Sequence, residues 1–537
     1  MVAHPPSSDP FLIFGGGIMR FRAIVLMVSI LVGPLYAQRP NAAAPPTDRD
    51  TSAKASPTPI PNEMSSVTEH TIRIGGQLVP YRATAATLLL KNDKEESIGV
   101  LYYTAYTRSD AKDPSQRPLA FVYNGGPGSA SAWLHMGAFG PRRIVTTDAA
   151  PTPPPPYQMV DNANSLIDVT DMVFIDPIGT GFSKPVGKGT GKDFWGVDED
   201  AKALAQFISQ YVSRNGRWAS PKYLIGESYG TTRSAVLGDR LQRDGMSLNG
   251  IVLISSVLDF ETLLFAPGHD LSYVLYLPSY AATAAYHKVI AAPANMGAFL
   301  TEVRRYAMGD YAAALAAGAT LPADRKAAVA KQVAAYTGLS EDYLLKADLR
   351  VPLRQYMAEL QRSRGLVTGR LDSRFSGPLP DLLTENAPGD PQSAAITGAF
   401  TAAANAYLRG ELKFETQDRY VMGGGVQWSW AREGQRGWAT TTYVGSELTQ
   451  ALVTNPHLRI EIENGYYDLA TPFFATEYTV SHLAGLSPDL RDNITLKYYD
   501  AGHMMYLYEP ALAELKQNVA RFIMNPAPAT ARAAGSN

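Results

Sequence analysis

The sequence predicts an α/β fold, a doubly wound and mostly parallel sheet that carries an inserted helical cap. Three observations lead there. Apolar runs of strand length (119–124, 172–176, 223–225 and 250–255) hold too few polar positions for strands with one wet face, and strands resume at 458–463 and 494–499. Segments of helical spacing alternate with them, as the crossovers between parallel strands require. Between the run at 250–255 and the run at 458–463 the texture turns helical and Ala-rich, from about Phe265 to Met422.

The chain has 537 residues, 45 % apolar and 18 % charged, which is material for one large core with an insertion or for two domains. A net charge of −2 argues against a nucleic acid or an anionic membrane as partner. With 0 cysteines, disulfides, thiolate catalysis and Cys-ligated metals are excluded. Near the start, Met19-Arg-Phe-Arg22 is basic, Ala23 to Val32 is apolar, and Gly33 to Ala37 supplies small residues before Gln38. That pattern reads as a secretory signal peptide over 1–37, with 1–18 as an extension upstream of the start, and the apolar run is too short for a comfortable membrane span. No cysteine is present for a lipid anchor, so the expectation is a periplasmic or secreted protein with no membrane anchor after signal cleavage. Residues 38–65, rich in Ala, Pro, Ser and Thr without a hydrophobic period, read as a flexible linker.

Thr71 to Ile74 and Leu78 to Thr84 alternate around Gly75-Gly76 and predict a β-hairpin; Ile98 to Tyr106 predicts a longer strand. The buried strand Leu119 to Asn124 runs into Gly125-Gly-Pro-Gly128-Ser-Ala-Ser131, whose glycines leave backbone amides unobstructed. After a buried strand such a loop is a candidate for holding an anion, although alone it reads as a plain Gly-Pro turn. The segment 150–156 is Pro-rich and extended. Met172 to Asp176 is a strand, and Pro177 to Ser183 the loop after it. Gly187-Lys-Gly-Thr-Gly-Lys192 fails as a phosphate loop, because Val186 replaces the first glycine and Asp193 the Ser/Thr metal ligand. A helix follows over 198–212.

In the insert, helical spacing covers 281–292, 296–316, 324–336 and 340–364, with Ser340 as an N-cap and Gly365 closing the last. The core therefore spans 66–264 and 430–537, and the cap 265–429. The chain closes with strands at 458–463 and 494–499 and a helix over 510–523.

The chemistry centres on Gly226-Glu227-Ser228-Tyr229-Gly230, which follows the apolar run Tyr223 to Ile225 and precedes a helix. Here the strand must turn sharply with Ser228 in a strained conformation, so small residues flank it, and the first amides of the helix face any oxyanion formed there. A serine hydroxyl needs a base, and the base an orienting carboxylate. In an elbow of this type the order is serine, acid, histidine, each after a later strand. Of the 8 histidines, His457 precedes its strand and His482 lies in a helical pattern, whereas His503 directly follows the strand ending at Tyr499. The same rule selects Asp468, after the strand 458–463; Asp500 is the rival, too near His503 in sequence to orient its ring comfortably.

Together Asn124 to Ser131, Ile178-Gly-Thr-Gly-Phe-Ser183, Gly226 to Gly230, Asp468 and Ala501-Gly-His-Met504 resemble the serine carboxypeptidases, from about Pro118 to the C-terminal helix. The resemblance implies an α/β-hydrolase fold with a helical cap, and removal of C-terminal residues from peptides with a free C-terminus through an acyl-enzyme on Ser228. It also implies an oxyanion hole of the Gly126 and Tyr229 amides, and Asn124 and Glu227 gripping the substrate carboxylate. Two carboxylates face each other usefully only if one holds a proton, so tighter binding is expected in acid. The chain departs from the family at Ser129, where a cysteine is usual, and across His135 to Pro141, where an acid is usual.

An esterase, acyltransferase or aminopeptidase on the same scaffold would use identical serine chemistry, and a non-catalytic secreted binding protein could keep the fold. No metal is implied, since no His-Glu-x-x-His pair or ligand cluster at zinc spacing occurs, and acyl transfer needs no cofactor. Oligomeric state is not encoded in any of these features.

Overall fold

The computed structural model describes residues 58–386, 389–432 and 441–525; the expected signal peptide and most of the expected linker lie outside them. Ten strands form one sheet. Nine are β1 (Ser65–Ile74), β2 (Gln77–Lys91), β3 (Ser97–Arg108), β4 (Leu119–Tyr123), β5 (Asp171–Asp176), β6 (Lys222–Glu227), β7 (Gly250–Ile254), β8 (Arg459–Gly465) and β9 (Ile494–Tyr499). They run in the order β1-β2-β3-β5-β4-β6-β7-β8-β9, with Lys184–Pro185 added beside β3. The first three strands and their junction with β5 are antiparallel. From β5 to β9 every neighbour is parallel. The β1–β2 hairpin turns on Gly75 and Gly76 at φ +55 and +82, the left-handed geometry a two-residue hairpin needs. It extends well past the residues whose alternation predicts it, because β2 becomes buried on both faces after Thr84.

The longer helices are α1 (Val197–Arg214), α2 (Tyr229–Arg243), α3 (Leu271–Tyr286), α4 (Met296–Tyr306), α5 (Ala323–Thr337), α6 (Pro391–Ala406), α7 (Gly445–Thr454), α8 (Phe473–Ser481) and α9 (Glu509–Met524). Alternate strand residues feed two cores. Leu119, Phe121, Leu224 and Leu253 pack with α1, α2 and α7, while Ala120, Val122, Ile225 and Ile254 pack with α6 and α9. The period of two in side-chain direction thus explains why β4 to β7 read as apolar on both faces, whereas β8 turns Arg459, Glu461 and Glu463 to one side.

The stretch between β7 and β8 divides. Residues of α3, α4 and α5 form their own core with Tyr467, Leu469 and Phe473 from the region after β8. The later part, with Ile396, Phe400, Tyr407 and Tyr420, packs on the main sheet instead. Helix α3 begins at Leu271, ten or so residues before its periodicity becomes legible, and runs through Pro278. The helix expected over 340–364 breaks into Glu341–Lys346 and Leu353–Glu359. Asp348 and Leu349 sit at φ 51 and 63 between them, and Pro352 bars the preceding residue from helix.

Candidate active site

Ser228 stands between β6 and α2 at φ 60, ψ −130, a region costly for any residue with a side chain. Its surroundings over-determine that conformation. A Cβ on Gly226 would lie 2.2 Å from the Gly230 carbonyl oxygen, so only glycine lets the strand and helix close on each other. The Ser228 amide donates to the Ile254 carbonyl at 2.9 Å, tying the turn to β7.

The glycine-rich loop after β4 lies directly against this turn. A Cβ on Gly125 would meet the Tyr229 nitrogen at 2.4 Å, and Gly126 holds φ +102. Tyr229 is the first residue of α2, whose amide has no carbonyl partner within the helix. Arg233, one turn further on and fully buried, joins the two segments: Nη1 donates to the Asn124 carbonyl at 2.6 Å and Nε to Asp200 on α1 at 2.6 Å. No motif marks Arg233 or Asp200; their pairing arises only when α1 and α2 pack side by side. Asp176, at the end of β5, accepts the Ser131 amide at 2.8 Å and fixes the far end of the loop.

His503 follows β9 and Asp468 follows β8, and both are buried. His503 Nδ1 meets Asp468 Oδ2 at 2.8 Å. Asp468 also accepts the amides of Ala470 at 2.7 Å and Thr471 at 2.9 Å and the Thr471 hydroxyl at 2.7 Å. Asp500, the rival acid, is exposed. The histidine's backbone is held on both sides: its amide donates to the Leu371 carbonyl at 2.7 Å and its carbonyl accepts the Ser255 hydroxyl at 2.6 Å. Burial pulls the imidazole pKa down, but Asp468, with help from Glu227, outweighs it and leaves His503 above the ordinary histidine value.

Asn124, Gly126, Glu227, Ser228 and His503 line one cavity of about 210 Å³, walled also by Trp133 and by residues of α6. Glu227 is fully buried there, and burial raises its carboxyl to about 7 against the lowering influence of His503, Tyr506 and Asn124. Glu227 Oε2 and the hydroxyl of the adjacent Tyr506 are buried without a hydrogen bond of good geometry. Tyr506 also constrains the segment between His135 and Pro141. Its ring presses on Gly137, where an added Cβ would lie 2.6 Å away, so no larger side chain fits. His135 is not part of the site: it stacks on Phe174 within the core, and burial lowers it to about 3.

Among the described residues no His, Asp and Glu cluster could hold a metal ion, and no helix is long and apolar enough to cross a membrane. A second cavity, about 240 Å³ and lined by Arg459, Glu461, Lys497 and Arg521, contains neither a serine nor a histidine.

No curated protein matches the sequence. Among solved structures, a prohormone-processing carboxypeptidase from Saccharomyces cerevisiae, Kex1(delta)p, is 17 % identical over 83 % of this chain and 91 % of its own, with a TM-score of 0.48. A proline iminopeptidase from Mycobacterium smegmatis is 16 % identical over 86 % of this chain and 98 % of its own, with a TM-score of 0.34. The family model described as serine carboxypeptidase (Peptidase_S10) matches residues 87–262, which contain the glycine-rich loop, the 177–183 loop and the elbow. Residues 87–262, the part of the chain that holds these loops and the elbow, are thus similar to the serine carboxypeptidase family, within the mostly parallel sheet described above.

Proposed function

We propose that the protein is a secreted or periplasmic serine carboxypeptidase that removes residues from the free C-terminus of peptides through an acyl-enzyme on Ser228. The observation that carries this reading is a strained serine opening on the same cavity as an Asp468-oriented histidine and a buried, unsatisfied Glu227. His503 takes the proton of the Ser228 hydroxyl as Oγ attacks the carbonyl carbon of the last peptide bond. The amides of Gly126 and Tyr229 hold the oxyanion. His503 then returns the proton to the departing amine, and water repeats the sequence to free the acyl group. Asp468 keeps Nδ1 protonated and steadies the imidazolium. Asn124 and protonated Glu227 hold the substrate's terminal carboxylate, which places the last peptide bond, rather than an internal one, over Ser228. Secretion rests on the signal-like sequence at 19–37. No step requires a metal or cofactor.

The test is a matched set of N-blocked dipeptides with a free C-terminus, a C-terminal amide and an ester, alongside labelling by a fluorophosphonate. The free acid should be hydrolysed in preference to the amide, and the label should sit on Ser228. Faster turnover of the amide would remove the carboxylate clamp from the reading, and failure to label would remove the acyl-enzyme.

A further inference from the structure

One charged group at the cavity has no role in this scheme. Arg370 lines it beside His503 and Ser393, on a segment of the insert whose backbone is pinned from several directions. Its carbonyl accepts the Leu469 amide at 3.0 Å, the next carbonyl accepts the His503 amide, and Ser373 donates to the Tyr467 carbonyl at 2.9 Å. From the other side, Asp390 Oδ2 accepts the amides of Arg370 at 2.7 Å and Leu371 at 3.0 Å. The side chain therefore leaves from a fixed point between the two catalytic loops.

Its guanidinium is unpaired among the described residues. Neighbouring arginines of the insert are not: Arg374 is bound to Asp372 at 2.7 Å and Arg362 to Glu359 at 2.5 Å. The nearby carboxylate, Asp390, is spent on backbone, its other oxygen capping α6 through the Ser393 amide at 2.9 Å. Glu227 is the sole carboxylate among the cavity's lining residues, and the reading above already gives it the substrate's α-carboxylate. What remains is an exposed, pre-positioned cation over a pocket with Trp133 and Ile396 as apolar walls. An arginine so placed matches a second carboxylate on the substrate, since its planar fork binds that group through two parallel bonds.

We propose that Arg370 is a specificity residue that selects peptides ending in an acidic residue, pairing with the side-chain carboxylate of a terminal Asp or Glu. This rests on the carboxypeptidase reading, because it needs the terminal residue to lie in this cavity.

Two N-blocked dipeptides that differ only in a terminal Glu or Gln keep size constant and change charge. At low salt the protein should favour the Glu substrate by about tenfold or more in kcat/KM. Arg370→Gln should abolish that preference through KM and leave the Gln substrate within about twofold, which also certifies its fold. Arg370→Lys should restore part of it, having the charge without the fork. Equal rates on the Glu and Gln substrates with the native protein would overturn the proposal while leaving the carboxypeptidase reading intact. So would equal losses on both substrates in Arg370→Gln, or a preference that follows an acidic penultimate residue instead. A native protein inert toward every free-acid dipeptide would overturn the carboxypeptidase reading itself.

Discussion

Asp468, just after β8, and Glu463, within it, are both fully buried carboxyl groups, yet their surroundings ask opposite things of them. Asp468 is met by donors on both oxygens: two amides, one hydroxyl and a histidine Nδ1. Such a set fits an acceptor-only carboxylate. Glu463 meets the Tyr499 hydroxyl at 2.7 Å and has Glu461 beside it. Burial, reinforced by the adjacent carboxyl, lifts it well above the ordinary glutamate range. Depth alone therefore does not decide what a carboxyl can do. The donors around it do, and Glu227 falls between the two cases, buried but facing a cavity.

Three substitutions put this contrast under strain. The largest effect is expected from Asp468→Asn, which keeps the shape but presents an amide where His503 Nδ1 needs an acceptor. The wrong tautomer should lower kcat by about 10³- to 10⁴-fold, with KM and the thermal midpoint nearly unchanged. A loss under tenfold in steady-state kinetics would mean that another group orients the imidazole. Next, Glu227→Gln should flatten the pH dependence of KM. Because the Glu227 carboxyl titrates near 7, binding of a terminal carboxylate by the native protein should weaken as pH rises from 6 to 8, and that trend should vanish in the variant. Identical KM profiles for the two proteins would sink the clamp.

The smallest effect is expected from Glu463→Gln, and it concerns stability rather than rate. The folded carboxyl has a pKa raised above its unfolded value, so its contribution is fully present below about 4.3 and is lost as pH rises through the folded value. The thermal midpoint of the native protein should thus fall more steeply between pH 5 and 8 than that of the variant. The difference should appear in the slope of the thermal midpoint against pH, with kcat/KM within twofold. Parallel melting curves across that range would place Glu463 with Asp468, as a charged group already satisfied.

What the sequence discloses and what it hides follows from the range of the interactions concerned. Ser228 announces itself because the turn that holds it needs Gly226 within two residues, and His503 and Asp468 because each closely follows a segment readable as a strand. Gly125 and Gly126 are legible as unobstructed backbone for the same local reason. Arg233 with Asp200, Tyr506 with Gly137, and Arg370 with its anchors have no such signature. Each depends on elements far apart in sequence meeting at one spot, and no spacing within a single segment encodes that. The insert shows the same limit: Pro352 is visible as a helix breaker, but the departure of α6 to pack on the sheet is decided by which apolar face finds a partner.

The hydrogen bond from the His503 amide to Leu371 has a further consequence. His503 hangs from a peptide group that belongs to the insert, as does the amide of Leu469 beside Asp468. A polypeptide whose sheet had formed but whose insert had not yet settled would own Ser228, Asp468 and His503 and still lack a rigid mounting for two of them. Turnover should consequently be among the last properties to appear during refolding, trailing the recovery of sheet structure.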